Sequence, residues 1–321
     1  MRASIVIPTL NGGAQYREVL DRLLEQDYRP RPEIVIVDSG SIDGSAEASK
    51  KAGAKVLSID KRTFQHGRTR NLGIAASSGD VCALLTQDAL PSDRHWLERL
   101  VRNYADSRVG GVYTRQFPRP ECDPVMKHQL LTWAACRGAR TVQEPFGPGE
   151  WDRTPPLARL QRCAFDNVAS SVRRRAWEQV PFPERRFGED VAWGRAALLA
   201  GWAVVYEPEA PVIHSHEFRM IYQVKRIYLD HCNLAELFGI QTIPTKRFLL
   251  QCFRNRFREY RKMLRDLPGL TPHDRMRWTL VALPYAFLEN AAQYLGAKSA
   301  RKIAEGSGFY RRLDARLRKG V

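Results

Sequence analysis

Short apolar runs alternate with stretches of helical apolar spacing along the first third of the chain. Ser4–Ile7, Glu33–Val37, Lys55–Ile59, Val81–Leu85 and Val109–Tyr113 read as strands. Between them, Ala14–Gln26, Ser45–Lys51, Arg68–Ala76 and Arg94–Tyr104 read as helices; in the first, Val19, Leu20, Leu23 and Leu24 share one face. This alternation predicts a mainly parallel sheet with helices on both faces, a Rossmann-like α/β half. Ligands of such sheets bind at the carboxyl ends of the strands. That singles out Thr9-Leu10-Asn11, Asp38-Ser39-Gly40 and Thr86-Gln87-Asp88.

The pattern then changes twice. From Arg115 to Arg162 the chain is rich in proline, arginine and glycine, broken by one helical run near Met126–Arg137. This reads as an irregular stretch, either shaped to a second substrate or acting as a mobile flap, or else a solvated insertion. A strand-like run at Ala203–Tyr206 follows. From Lys225 onward the chain is helical and basic, with Phe248, Leu249, Phe253 and Phe257 among Arg254, Arg256, Arg258, Arg261 and Lys262. The expected boundary puts residues 1–224 in the α/β domain and 225–321 in a basic helical extension.

Charge sharpens this division. The 321 residues carry a formal net charge of +16, which calls for an anionic partner. From Lys225 to the end there are 20 Lys and Arg against 8 Asp and Glu, so most of the excess lies in the helical part. Its longest apolar run, Thr279–Leu288, contains Pro284 and is about half the ~20 residues that a membrane span needs. Amphipathic basic helices with Trp278, Tyr285 and Phe287 suit an anionic membrane surface instead. Six scattered cysteines without CxxC spacing fit a reducing cytosol, and no apolar stretch at the start is long enough for a signal peptide.

Candidate chemistry gathers at the strand ends. A carboxylate at Asp38 can accept from a base N–H or from ribose hydroxyls, with the neighbouring serines capping the next helix. His66-Gly67-Arg68-Thr69-Arg70-Asn71 opens a helix, where arginines suit phosphate. Asp88, after a buried strand, can anchor Mg²⁺ or Mn²⁺ beside diphosphate oxygens. Glu189 and Asp190 follow Gly188 and open a helix marked by Trp193, Ala196 and Ala197. His214 and His216, two apart in an extended run, are placed to face a metal or a phosphate together.

In this order the residues resemble the family-2 glycosyltransferases of the GT-A fold, inverting enzymes that use nucleotide-diphosphate sugars. The likeness runs from Ser4 to about Glu217. Pro8-Thr9-Leu10-Asn11-Gly12 resembles the family's first nucleotide loop, with Ser39 and Gln87 at the neighbouring strand ends. Asp38 resembles its base-contacting acid, Arg70-Asn71 its Arg-Asn pair, and Asp88 the second acid of its metal-binding DxD. The resemblance makes Asp190 the catalytic base and Glu189 an orienting neighbour, and it sets Asn167 on the acceptor side. His66-Gly67-Arg68-Thr69-Arg70-Asn71, Thr86-Gln87-Asp88-Ala89 and His214-Ser215-His216-Glu217 are similar to strings of bacterial rhamnosyltransferases. Thr86 departs from the pattern, since it replaces the first acid of DxD. The metal is then left to Asp88 with His214 or His216.

The resemblance implies sugar transfer, with L-rhamnose from dTDP-rhamnose as the first candidate and a UDP-hexose as the alternative. The acceptor is a hydroxyl of a lipid-linked or polysaccharide chain, and the location is the inner face of the cell membrane. Two other classes fit less well. A sugar nucleotidyltransferase wants a GxGxR loop after the first strand, where this chain has Thr9-Leu10-Asn11-Gly12-Gly13. A nucleic-acid-binding protein would account for the charge, but carboxylates at successive strand ends repel a phosphate backbone. Nucleic acid is therefore not expected as a partner.

Overall fold

Ile5 and Ile7 pack with Val19, Leu20 and Leu23 of the first helix, whereas Val6 between them abuts Gly73 on the opposite side. This two-sided burial is what the continuous apolar strands anticipate. The structure, a computed structural model, describes residues 1–132, 138–185 and 187–320.

The elements run β1 (Ala3–Thr9), α1 (Gly13–Leu24), β2 (Glu33–Asp38), α2 (Ser45–Lys51), β3 (Lys55–Ser58), α3 (His66–Ala75), β4 (Val81–Leu85), β5 (Leu90–Pro91), α4 (Trp96–Val101) and β6 (Val109–Phe117). The chain continues through α5 (Pro124–Thr132), β7 (Thr141–Gln143), α6 (Glu150–Arg153), α7 (Pro156–Arg162), β8 (Ala169–Arg173), α8 (Arg174–Gln179), α9 (Glu189–Leu199) and β9 (Ala203–Ile213). Four helices close it: α10 (Met220–Phe238), α11 (Lys246–Asp266), α12 (Pro272–Ala304) and α13 (Gly308–Leu317).

Among the described residues nine strands form one sheet in the order β3-β2-β1-β4-β8-β6-β9-β5, with β7 on β9. The first four are parallel neighbours, so the α/β half stands as the pattern anticipated. Beyond β4 the sheet is mixed. β8 enters antiparallel between β4 and β6, and β6 runs parallel to β9. The stretch expected to be irregular is more ordered than that, since it contributes β7, α6 and α7; the predicted helical run near Met126–Arg137 lies outside the described residues from position 133 to 137.

The pairing of β6 with β9 carries two irregularities, the second between Thr114 and Gln116. Thr114 faces Glu207, yet Gln116 faces Val212, so β9 has extra residues at this point. The ladder resumes at once, and the His214 amide donates to the Phe117 carbonyl at 2.8 Å. The histidines therefore lie just beyond the end of β9 rather than within a strand.

The chain divides into two compact units. The first holds residues 1–119, 130–154 and 161–215; the second holds 120–129, 155–160 and 216–321. The second unit thus takes in two short pieces of the middle stretch as well as the C-terminal helices.

Within the second unit, α11 and α12 pack against each other around Tyr260, Leu264, Ala282, Tyr285 and Ala286. A polar knot sits in this core. The Tyr260 hydroxyl donates to Glu289 at 3.0 Å, and Arg256 Nε lies 2.9 Å from the same carboxylate. Burial pushes the Glu289 carboxyl up to about 7, against the pull of Arg256. On the outside of α12, Met276, Leu280, Leu283 and Phe287 form one stripe at helical spacing; Leu280 is 67% exposed and Met276 60%. Phe287 extends that stripe to α11, its ring centroid 5.8 Å from that of Phe253. Arg254, Arg258, Arg261 and Lys262 are exposed along α11. Among the described residues, no helix is long and apolar enough to cross a membrane.

Candidate active site

The loops after β1, β2 and β4 are knitted into one rim. Gln87 binds the Leu10 backbone at both ends, accepting from its amide at 2.8 Å and donating to its carbonyl at 3.2 Å. The Asn11 amide donates to Ser41 Oγ, and Asn11 Oδ1 accepts from the Ile42 amide, each at 2.9 Å. Asn11 is the one described non-glycine residue with a left-handed backbone, at φ 47°. Asparagine tolerates that region because its short polar side chain finds local partners. Thr9 lies opposite Asp38 in the β1–β2 register, and Pro8 opposite Val37.

Asp38 is buried and splits its carboxylate between two tasks. Oδ2 accepts from the Gly40 and Ser41 amides at 3.0 Å each, which shapes the turn. Oδ1 is buried without a partner, and so are Ser39 Oγ and Thr86 Oγ1. Folded proteins rarely leave buried acceptors unmet unless a ligand or water completes them. These three atoms lie at the carboxyl ends of β2 and β4, where the alternation placed a ligand.

Asp88 lies on the same rim. Its Oδ2 is 3.5 Å from His214 Nε2, and its carbonyl accepts from Arg119 Nη2 at 3.1 Å. One ligand atom from each of Asp88, His214 and His216 falls within 4.8 Å of the others. One carboxylate and two imidazoles form a mixed oxygen–nitrogen donor set that a divalent transition-metal ion, Mn²⁺ among them, can accept. His214 is buried, and its Nδ1 lies 2.8 Å from Gln116 Oε1. Gln116 in turn donates through Nε2 to Asp166 Oδ2, while Asp166 Oδ1 accepts from the Val168 amide.

The helix of the acidic pair is anchored from behind. Trp193 is fully buried, its ring 4.6 Å from Phe165 and 5.3 Å from Phe182, and its Nε1 donates to the Val180 carbonyl. A Cβ at Gly111 would come within 2.6 Å of this indole, so β6 needs glycine there. Gly188 turns into the helix at φ 70°, a conformation that other residues rarely adopt. Glu189 and Asp190 thereby open α9.

The two acids have different surroundings. Glu189 is buried against Arg70, Oε1 to Nη1 at 2.8 Å. Asp190 is half-buried, and its Oδ1 accepts from the Val191 amide at 2.8 Å. Desolvation, followed by the charges of Glu189 and Asp166, raises the Asp190 carboxyl well above the usual range; the Val191 amide and Arg70 pull the other way. A carboxyl raised in this manner holds its proton more strongly than an ordinary aspartate, as a general base must.

The structure redraws part of the polar cluster at the start of α3. Arg70, expected at a phosphate, is buried, with Nη1 on Glu189 and Nη2 donating to the Asn167 carbonyl at 3.1 Å. Asn71, expected on the donor, donates to the Phe182 carbonyl at 2.8 Å and accepts from the Phe182 amide and Trp177 Nε1. Both side chains thus fix the segment that leads into α9. His66 remains exposed. Asn167, expected on the acceptor side, is buried, and its Oδ1 accepts from Ser170 Oγ. Gln116 and Asp166 carried no signal in the sequence. One falls where the irregular stretch begins, and the other is a lone acid beside Asn167.

Comparison with known proteins shows the family of the chain. Residues 4–168 match the family described as glycosyl transferase family 2. The chain belongs to that family and is a glycosyltransferase with a GT-A-like sheet and a C-terminal helical extension. Among its relatives, it is 29% identical over 223 residues to the O-antigen chain rhamnosyltransferase RfbN of Salmonella typhimurium, covering 68% of each chain. It is 26% identical over 230 residues to the O-antigen chain rhamnosyltransferase WbaN of Salmonella anatum, covering 70% of each. Its fold resembles that of S. aureus TarS residues 1–349, with a TM-score of 0.52 at 14% identity over 96% of this chain and 92% of that one. It also resembles glucosyl-3-phosphoglycerate synthase of Mycobacterium tuberculosis, solved with Mn²⁺, UDP-glucose and phosphoglyceric acid. There the TM-score is 0.51 at 18% identity, over 76% of this chain and 81% of that one.

Proposed function

We propose that this glycosyltransferase moves L-rhamnose from dTDP-rhamnose to a hydroxyl of a lipid-linked or polysaccharide acceptor, with inversion at the anomeric carbon. The carrying observation is a set of three carboxylates: Asp38 with a buried unmet oxygen at the end of β2, Asp88 beside His214 after β4, and Asp190 with a raised pKa at the start of α9. The choice of rhamnose rests on similarity to the two O-antigen enzymes.

Asp38 Oδ1 accepts from the base or ribose of the donor. Asp88, His214 and His216 are the residues that would hold a divalent ion, which when bound supplies positive charge to a leaving diphosphate. Asp190 takes the proton of the acceptor hydroxyl. The acceptor oxygen attacks the anomeric carbon from the face opposite the diphosphate, whose bond to the sugar breaks and leaves its electron pair on the phosphate oxygen. Glu189, pinned by Arg70, holds α9 so that Asp190 meets the acceptor.

The test is a thermal-shift panel of dTDP, UDP and GDP with and without Mn²⁺, followed by transfer from dTDP-rhamnose. A ligand at about 100 times its dissociation constant adds roughly 2.7 kcal/mol to the unit that binds it. Selective response to dTDP and transfer of rhamnose are expected. A response to UDP alone would move the donor to a UDP-hexose. Asp88→Ala should abolish the part of the shift that needs Mn²⁺; a full Mn²⁺-dependent shift in that variant would displace the metal site.

The second unit is assigned an anionic bilayer, on the inner face of the cell membrane, as its partner. The exposed stripe of Met276, Leu280, Leu283 and Phe287 beside the arginines of α11 supports this reading. Juxtamembrane basic residues contribute about 1 kcal/mol each near an anionic surface. The protein should float with liposomes containing anionic lipid at low salt, and Leu280→Asp with Leu283→Asp should reduce that binding by at least roughly 10²-fold, since two leucines buried in the bilayer contribute roughly 3–6 kcal/mol. Absence of flotation of the unaltered protein at low salt would refute the assignment.

A further inference from the structure

The geometry points to Gln116 and Asp166 as a pair of positioning residues that set the tautomer of His214, so that its Nε2 lone pair is turned to the cation. The inference rests on the metal reading of Asp88 and His214 given above.

Asp166 is buried, with Oδ1 occupied by the Val168 amide at 3.0 Å. Its Oδ2 faces the amide nitrogen of Gln116, which donates to it. A glutamine side chain that gives its nitrogen to one neighbour must present its oxygen to the other. That oxygen lies 2.8 Å from His214 Nδ1, so Nδ1 carries the proton and donates. In a neutral imidazole the second nitrogen is then an acceptor, and a metal can be held only there. His214 Nε2 is the atom on the Asp88 side, 3.5 Å from Oδ2.

All three side chains are buried. The irregularity between Thr114 and Gln116 brings Gln116 level with the end of β9 and hence beside His214. Partners of this kind commonly change metal affinity by about 10–100-fold when removed.

The orientation has a consequence that a purely structural role would not. In Asp166→Asn the new side chain must keep its oxygen at the Oδ1 position to accept from the Val168 amide, so its NH₂ group faces Gln116. Gln116 then turns its own oxygen to that NH₂ group and its nitrogen to His214. His214 Nδ1 becomes an acceptor, the proton moves to Nε2, and the metal loses a ligand. Adding Gln116→Glu reverses this. One oxygen of the introduced carboxylate accepts from the introduced amide and the other from His214 Nδ1–H, with the net charge of the unaltered protein restored.

The experiment measures Mn²⁺ alone by electron paramagnetic resonance, and the His214 ring nitrogens by ¹⁵N NMR on the metal-free protein. Mn²⁺ affinity should fall about 10–100-fold in Asp166→Asn and in Gln116→Leu, and return largely in the Asp166→Asn, Gln116→Glu double variant. The NMR should place the proton on Nδ1 in the unaltered protein and on Nε2 in Asp166→Asn. Unchanged Mn²⁺ affinity in Asp166→Asn, or no recovery in the double variant, would overturn the inference. Asp88→Ala is the control for the metal reading itself. If it binds Mn²⁺ as the unaltered protein does, that reading fails whatever the other variants do.

Discussion

Asp190→Asn is expected to lower turnover by at least roughly 10²-fold, the lower end of what a positioned general base contributes, while donor binding stays nearly unchanged. The amide keeps the size of the side chain and can still accept from the Val191 amide, but it cannot take a proton near neutral pH. Asp38 and Asp88, assigned to the donor, belong to the ends of β2 and β4, so calorimetric binding of dTDP should scarcely change. An interaction made only in the transition state lowers kcat without weakening the ground state.

The pH profile provides a second reading of the same residue. A base works deprotonated, so activity falls as the pH drops through its pKa. Burial and the charges of Glu189 and Asp166 raise that pKa, which puts the acidic limb of kcat/KM above the ~3.9 of an ordinary aspartate. In Asp190→Asn the residual activity should lose this limb. More than about a tenth of the original turnover in the variant would place the base elsewhere.

Arg70→Met is expected to destabilise the first unit by about 3–5 kcal/mol, the usual result of leaving one partner of a buried ion pair alone. Arg70 and Glu189 are both buried, so solvent cannot take up the carboxylate charge. The Asn167 carbonyl loses its donor as well. Pairing Arg70→Met with Glu189→Gln should recover part of the loss, because the stranded charge is then gone; the two changes are in contact and will not add. Urea unfolding followed by circular dichroism measures this. A change below about 1 kcal/mol, the range of an exposed pair, would mean that the pair does not hold the start of α9.

The same pair shows how far sequence reading reaches. Arginine before asparagine at a helix start looks like a phosphate site when only the helix terminus is considered. The carboxylate that takes up Arg70 is 119 residues away in sequence, and nothing local announces it. Asn71 follows the same rule, since its partners Trp177 and Phe182 come from the segment before α9. Gln116 was invisible because its role depends on a register irregularity between β6 and β9. Such an irregularity is a property of two strands together, not of either one.

What the sequence determined by itself is local and periodic. The apolar runs and their spacing specified β1 to β4 with α1 to α3 between them. A buried strand must be apolar on both faces, and a helix covering it must repeat its apolar residues every three to four positions. The same logic placed Asp38 and Asp88 at the rim, because a polar residue that ends an apolar strand has to emerge at the strand end. Gly188 before two acids likewise marked the turn into α9. Tertiary structure alone decided which carboxylate is pinned and which has its pKa raised. Glu189 and Asp190 are adjacent and chemically alike, and only distant neighbours tell them apart: Arg70 from α3 for one, desolvation and Asp166 for the other. Charge–charge energies depend on separation and burial, and neither is a property of residue order.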